Sequence, residues 1–74
     1  MPRKDSKETI LDAAETLFAT RGFTATTIKQ IGTRAKVNPA LMYYYFGDKQ
    51  ALYRAVLARL IGGLAENLGG RLRD

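Results

Sequence analysis

Three consecutive tyrosines and a phenylalanine, within the stretch NPALMYYYFGDKQ (38–50), account for four of the seven aromatic residues of this chain. Tyrosine hydroxyls can donate hydrogen bonds to anionic oxygens, while the rings pack on flat apolar surfaces. Consecutive helical positions are about 100° apart around the axis, so one core cannot accommodate all four rings. We therefore expect Phe46, which lacks a hydroxyl, to be buried, and Tyr43, Tyr44 and Tyr45 to line a binding surface.

The chain contains no cysteine and no histidine. Disulfides, thiolate chemistry, most zinc sites and the commonest general base are thereby excluded. No nucleophile–base pair, metal-ligand set or phosphate loop can be assembled, so an enzyme, a metal site and a cofactor are not expected. Twelve Lys and Arg against seven Asp and Glu give a net charge of +5. That balance makes nucleic-acid binding a reasonable first hypothesis.

With 74 residues, the chain has the length of one small domain. No stretch approaches the ~18 uninterrupted apolar residues of a membrane span. The N-terminal MPRKDSKE has basic residues but no apolar segment behind them, as a secretory signal would require. We expect a cytoplasmic location and no membrane association.

Hydrophobic spacing predicts four helices and no strands. Ile10, Ala14 and Leu17 follow helical spacing, Asp5 can cap their helix, and Gly22 can end it, which predicts a helix over about 6–21. Thr27 with Gln30 forms a second capping-box pattern, so the next helix covers about 27–35.

Asn38 is a good N-cap and Pro39 a good first helical residue, which predicts a third helix over about 39–46, ended by Gly47. Two short helices joined by about three residues match a helix-turn-helix in length and layout. A fourth helix begins after Asp48 and carries an apolar residue every fourth position from Leu52 to Leu68. The predicted core consists of Ile10, Ala14, Leu17, Phe18, Ile31, Ala35, Val37, Met42, Phe46, Leu52 and Val56.

The segments ILDAAETLFATRGF and TTIKQIGTRAKVNPALMYYYFGDKQALYRAVL resemble the N-terminal DNA-binding domain of the TetR family of bacterial transcriptional regulators. The resemblance covers about Ile10 to Leu57. It implies an all-α fold, a three-helix homeodomain-like helix-turn-helix bundle plus a fourth connecting helix. It further implies a DNA-binding domain over 1–47 and a connecting helix over 48–74, with the effector and dimerisation domain absent from this chain.

The same resemblance implies sequence-specific binding of double-stranded, palindromic operator DNA by a ligand-responsive repressor. A small-molecule effector would act only through a domain not present here. A full-length family member is expected to be a homodimer, and this chain alone a monomer or weak dimer. The alternative, from the residues, is a small helical protein-interaction module that uses the apolar stripe of the fourth helix.

Site residues also follow from the resemblance. It places Lys29, Pro39, Ala40 and Tyr43 at base-facing positions, Thr27, Tyr44, Tyr45 and Lys49 at phosphate-facing positions, and Arg34 and Lys36 as phosphate neighbours. A cation in the first turn of a helix opposes the helix dipole, so a nearby phosphate would explain Lys49. Arg3, Lys4 and Lys7 form either a groove-binding arm or a disordered tail, and Arg54, Arg59, Arg71 and Arg73 are interpreted as surface charge.

This sequence departs from the family pattern at three positions. Lys36 stands where glycine is common, so it either adopts a left-handed conformation at a cost of about 1 kcal/mol or the turn has another shape. Leu41 replaces a small or hydroxylated residue, which puts a polar DNA contact there in doubt. Gly32 replaces alanine and is expected only to weaken the second helix.

Overall fold

The computed structural model describes the backbone of residues 5–72 and the side chains of residues 5–63. Four helices follow one another: α1 (Ser6–Arg21), α2 (Ile28–Ala35), α3 (Pro39–Phe46) and α4 (Lys49–Leu72). The predicted all-α class is confirmed, and residues 5–72 contain no strand. Within the described residues, no helix combines the length and apolar character needed to cross a membrane.

The helix ends are set by side-chain caps that the sequence contains. Asp5 Oδ1 accepts from the Glu8 amide at 2.8 Å at the start of α1. At the start of α2, Thr27 Oγ1 accepts from the Gln30 amide at 3.1 Å, and Gln30 Oε1 accepts from the Thr27 amide at 3.0 Å. Gly22, at φ 85°, ends α1 with a backbone conformation that favours glycine.

The core lies where α1 packs against both α2 and α4, and α3 closes it from the side. Its largest fully buried side chains are Ile10, Ile31, Met42, Leu52 and Thr26. Because Leu52 and Val56 of α4 belong to this core, the first half of α4 packs as part of the same unit as α1–α3. The division of the chain at residue 47 remains a prediction. The buried apolar set is Ile10, Leu11, Ala13, Ala14, Phe18, Ile31, Ala35, Met42, Leu52 and Val56.

Three predicted core residues are only partly buried, namely Leu17, Val37 and Phe46. For Phe46 this corrects the expectation that its ring is buried. Of the two core residues predicted on α3, only Met42 is fully buried, at 1% exposed. Phe46 is the last residue of α3, where the chain turns at Gly47, so its ring lies at the edge of the core.

A buried hydroxyl holds the loop between α1 and α2. Thr26 is fully buried, and its Oγ1 is 2.8 Å from the Gly22 carbonyl oxygen and 3.2 Å from that of Leu17. The Thr26 amide also donates to the Phe23 carbonyl at 3.3 Å. A buried polar group is tolerated when it is hydrogen-bonded, and here the bonds join the loop to the last turn of α1.

Arg59 joins α4 to α1, which corrects its interpretation as surface charge. Its guanidinium donates to Glu15 Oε1 at 2.7 Å and to Asp12 Oδ1 at 2.9 Å. The hydrogen bond to Glu15 is the main cause that raises the pKa of Arg59 above its ordinary value. All three side chains are more than one third exposed, so solvent screens the network and its contribution to stability is modest.

Gly32 is a packing requirement, which corrects the expectation that it only weakens α2. A Cβ at this position would lie 2.9 Å from the Val37 carbonyl oxygen and 3.4 Å from Met42 Sδ. The Gly32 carbonyl in turn accepts from the Val37 amide at 3.0 Å. The missing side chain therefore lets α2 lie directly against the turn and α3.

The turn between α2 and α3 contains the left-handed residue that was one of the two possibilities at Lys36. Lys36 adopts a left-handed conformation, with φ 60° and ψ 42°, and is the only non-glycine residue with positive φ among those the structure describes. Its amide donates to the carbonyls of Gly32 and Thr33 and so closes α2. The turn keeps its shape at the expense of strain in one residue.

We expect Gly32→Ala to lower the free energy of unfolding by about 1 kcal/mol. Overpacking against a backbone carbonyl costs about 1–3 kcal/mol, more than the ~1 kcal/mol that alanine gains over glycine inside a helix. The matched control is Gly63→Ala in α4, where an added Cβ meets nothing within 4 Å and stabilisation is expected. Denaturant unfolding measures both variants. Equal stabilisation by both would contradict the packing role of Gly32.

Lys36→Gly is expected to raise the free energy of unfolding by about 0.5–1 kcal/mol. It removes a left-handed penalty of about 1–2 kcal/mol, part of which is offset by the greater entropy of glycine in the unfolded chain. Lys36→Ala removes the charge but keeps the strain, so its unfolding midpoint should not increase. A gain of the same size in both variants would assign the effect to charge.

Candidate nucleic-acid interface

The outward face of α3 is lined by tyrosines. Tyr44 is 82% exposed, Tyr43 52% and Tyr45 40%, whereas Met42 faces the core. The rings of Tyr44 and Tyr45 meet edge to face, with centroids 5.5 Å apart. The three hydroxyl-bearing rings are therefore accessible as expected, whereas Phe46, which was expected to be buried, is only partly buried.

The first turn of α3 carries no free backbone donor. Pro39 has no N–H, and the Ala40 amide donates to Asn38 Oδ1 at 2.8 Å. The Leu41 amide donates to the Asn38 carbonyl at 2.9 Å. The side chains of Pro39 and Ala40 are exposed and Leu41 is half-buried. The first three residues of α3 thus present carbon to solvent, and the amides of Ala40 and Leu41 are already bonded.

The first turn of α2 differs in this respect. The amides of Ile28 and Lys29 have no hydrogen-bond partner within residues 5–72. Thr27 accepts a bond from Gln30, which leaves its own hydroxyl hydrogen available, and Thr27 and Lys29 are both exposed. Free amides, a hydroxyl and an ammonium at one helix start form a group of donors suited to an anionic oxygen.

Charge is distributed unevenly along the chain. Residues 16–47, which include α2, the turn and α3, contain four basic residues and no acidic one. Arg34 and Lys36 extend the basic character of this segment beyond Lys29, and both are exposed. The side of the molecule formed by α2 and α3 therefore carries positive charge that no carboxylate of its own segment neutralises.

Lys49 has a different environment from the one predicted. Its Nζ donates to the carbonyl oxygens of Phe23 at 2.7 Å and Thr26 at 3.0 Å. The same ammonium lies 4.1 Å from the centre of the Phe23 ring, a cation–π distance. These partners explain why a cation stands in the first turn of α4 without a phosphate. Lys49 is half-buried and anchors the α1–α2 loop through two of its three N–H groups, and its assignment as a phosphate-facing residue stays a prediction.

Sequence reasoning missed the aromatic cluster beneath this lysine. Phe18, Phe23 and Tyr53 meet with ring centroids 5.0–5.7 Å apart, from three separate parts of the chain. The unfavourable position of Lys49 in its helix was the one signal that pointed to an unseen partner. Helical spacing could not show that the partner is a loop more than twenty residues earlier.

Other predicted residues lie outside this surface or outside the described part of the chain. Arg3 and Lys4, and the side chains of Arg71 and Arg73, lie outside the described residues, while Lys7 is exposed in the first turn of α1. Among the described side chains, no group of three or more His, Cys, Asp or Glu residues could hold a metal ion.

Comparison with known proteins was consistent across sequence and structure. The family model for bacterial regulatory proteins of the tetR family matches residues 10–56. The HTH-type transcriptional repressor NicS of Pseudomonas putida is 44% identical over 55 residues, 74% of this chain and 26% of NicS. The HTH-type transcriptional repressor Rv3405c of Mycobacterium tuberculosis is 47% identical over 58 residues, 78% of this chain and 31% of Rv3405c.

A solved structure extends the similarity to almost the whole fold. The crystal structure of a TetR-like transcriptional regulator from Rhodococcus sp. RHA1 superposes with a TM-score of 0.84 at 31% identity. The match covers 95% of this chain and 38% of the Rhodococcus chain. This chain thus spans between a quarter and two fifths of the length of these three relatives.

We expect Lys49→Met to lower the free energy of unfolding by about 1.5–3 kcal/mol, because two carbonyls lose a charged donor. For a domain of this size the unfolding midpoint should fall by roughly 10 °C. Lys29→Met, at an exposed lysine, is the control and should leave the midpoint unchanged. Thermal circular dichroism measures both, and an unaltered midpoint for Lys49→Met would contradict the anchoring role.

Proposed function

Since this chain belongs to the TetR family of bacterial regulatory proteins, we propose that it binds one half-site of a palindromic operator by placing α3 in the DNA major groove. The family is one of transcriptional regulators, mostly repressors, and not of enzymes, and family membership implies operator DNA as the partner. The proposal concerns which face meets the DNA and which residues make the contacts.

The observation that carries this proposal is the charge and exposure of one face. The segment 16–47 has four basic residues and no acidic one, and the three exposed tyrosines of α3 lie within it. Positive charge attracts the phosphate backbone regardless of sequence, whereas side chains that reach base edges distinguish sequences. One surface therefore offers both kinds of contact.

We assign the phosphate contacts to α2 and the outer tyrosines. The free amides at the start of α2, the Thr27 hydroxyl and the hydroxyls of Tyr44 and Tyr45 are the donors, with Arg34 and Lys36 as cationic neighbours. Base-facing positions are Lys29, Pro39, Ala40 and Tyr43. Lys49 acts through the loop it anchors, because that loop leads directly into Thr27 and α2.

In the cell, we propose, this DNA-binding unit serves a ligand-responsive repressor in the bacterial cytoplasm. Two copies would read two half-sites about one helical turn or more apart, since linking two weak contacts multiplies their affinity. A small-molecule effector would act through a part of the longer relatives that the match does not cover.

A first test removes one cation and one ring from the proposed surface. Binding is measured by gel shift, at several salt concentrations, on duplexes selected from a random pool. Arg34→Met should lower the slope of log affinity against log salt by about 0.9, because one counterion fewer is released. Tyr43→Ala should weaken binding by about 1–3 kcal/mol, as expected for loss of a base contact.

Arg54→Met is the matched control for charge. Arg54 is exposed on α4 and outside the acid-free segment, so the salt slope should stay at the wild-type value. Equal slopes for wild type, Arg34→Met and Arg54→Met, together with unchanged affinity of Tyr43→Ala, would reject the proposed face.

A second candidate function, a protein-interaction module, is favoured by one observation. Leu57 (38% exposed), Leu60 (49%) and Ile61 (63%) lie exposed on α4. Such a face suits a partner helix. Loss of specific duplex binding combined with DNA-independent association would support this candidate over the first. Steep salt dependence and preference for a palindromic duplex would support operator binding.

A further inference from the structure

We propose that the first turn of α3 reads pyrimidine C5-methyl groups and not hydrogen-bonding patterns, so that 5-methylcytosine can replace thymine at the base pairs this turn faces. The inference rests on the proposed function, since it assumes that α3 enters the major groove. It specifies which chemical group of the base α3 recognises.

The first three residues of α3 have no backbone donor left to offer. Pro39 lacks an N–H, the Ala40 amide is bonded to Asn38 Oδ1 at 2.8 Å, and the Leu41 amide is bonded to the Asn38 carbonyl at 2.9 Å. At the start of α2, by contrast, two amides have no partner within the described residues. The two helix starts are thus suited to different parts of the DNA.

The side chains of the turn offer only carbon. Pro39 and Ala40 are exposed, and Ala40 lies two residues before the buried Met42, about 200° around the helix, so it faces away from the core. Leu41 is half-buried and is also apolar. A surface of this kind attracts a methyl group and cannot distinguish a donor from an acceptor.

Asn38 is not arranged for the paired contact that reads adenine. Paired recognition of adenine needs an amide oxygen that accepts from N6 while the amide nitrogen donates to N7. The oxygen of Asn38 accepts from the Ala40 amide, and this cap orients the side chain toward α3. The oxygen that adenine recognition requires thus already accepts one bond at the helix start, and this bond fixes its direction.

Thymine is the natural base with a methyl group in the major groove, beside an O4 acceptor, whereas cytosine presents an N4 donor there and no methyl. 5-Methylcytosine combines the cytosine donor with the thymine methyl. A carbon surface should accept thymine and 5-methylcytosine equally and disfavour uracil and cytosine. Burial of one methyl group corresponds to about a fourfold difference in affinity.

The experiment uses the 74-residue chain and three random duplex pools. The first contains thymine and cytosine, the second uracil and cytosine, and the third uracil and 5-methylcytosine. Bound duplexes are sequenced after selection. We expect a thymine preference at one or two positions of each half-site in the first pool. It should disappear in the second pool and move to 5-methylcytosine at the same positions in the third.

The outcomes separate this inference from the function on which it rests. No enrichment from any pool would reject operator binding by this chain. An enriched motif that keeps uracil at the same positions in the second and third pools would show that O4 is read, and would overturn the methyl inference alone.

A paired variant assigns the methyl preference to α3. Pro39→Ser with Ala40→Gly removes the exposed carbon of the first turn and keeps the Asn38 cap. With its helix content verified by circular dichroism, this variant should lose most of the fourfold difference between thymine and uracil at those positions and keep the rest of the motif. An undiminished difference would place methyl recognition elsewhere and overturn the assignment. Should the variant fail to fold, the three pools still decide the inference.

Discussion

Two helices of eight residues each cannot keep their shape alone in water, and the geometry of the proposed DNA surface depends on what holds them. α2 is held at its start by the loop that Thr26 and Lys49 bind, and at its end by the close approach of Gly32 to Val37. α3 is held by Met42, which lies in the core, and the Met42 sulfur lies next to Gly32, 3.4 Å from where a Cβ would be. Each of these contacts fixes the backbone position of α2 or α3. A small change in a contact would therefore displace the outward-facing side chains of that helix.

Charged residues divide into those that hold the fold and those that remain available. Lys49 and Arg59 are held by other parts of the chain, the first by carbonyl oxygens of the α1–α2 loop and the second by two carboxylates of α1. Lys29, Arg34 and Lys36 stay exposed in a segment without acidic residues. An ammonium bonded to carbonyl oxygens is less available to a phosphate. The net charge of the chain therefore overstates the positive charge that the proposed DNA surface offers. The exposed subset is the better guide to salt-dependent binding.

The two helix starts illustrate how capping can influence recognition. A box formed by Thr27 and Gln30 leaves two amides of α2 without partners, whereas the Asn-Pro start of α3 leaves none in its first turn. The first arrangement favours contact with phosphate, which fixes position without reading sequence. The second favours apolar contact with base methyl groups. The hydrogen bonds that start the two helices therefore also decide which helix is suited to phosphate and which to base methyl groups.

The sequence by itself determined the number of helices, their caps and the family. α1 covers Ser6–Arg21 and α3 covers Pro39–Phe46, as their caps and stops predict, because capping and helical periodicity depend on neighbours three or four residues apart. The exposed positions of Tyr43, Tyr44 and Tyr45 follow from the same local rule. Only the tertiary structure decided the partners of Lys49, the two carboxylates bound by Arg59, the requirement for Gly32 and the edge position of Phe46. Those outcomes depend on which residues of other helices and loops the packing of the four helices brings within a few ångströms, and helical spacing does not contain that information.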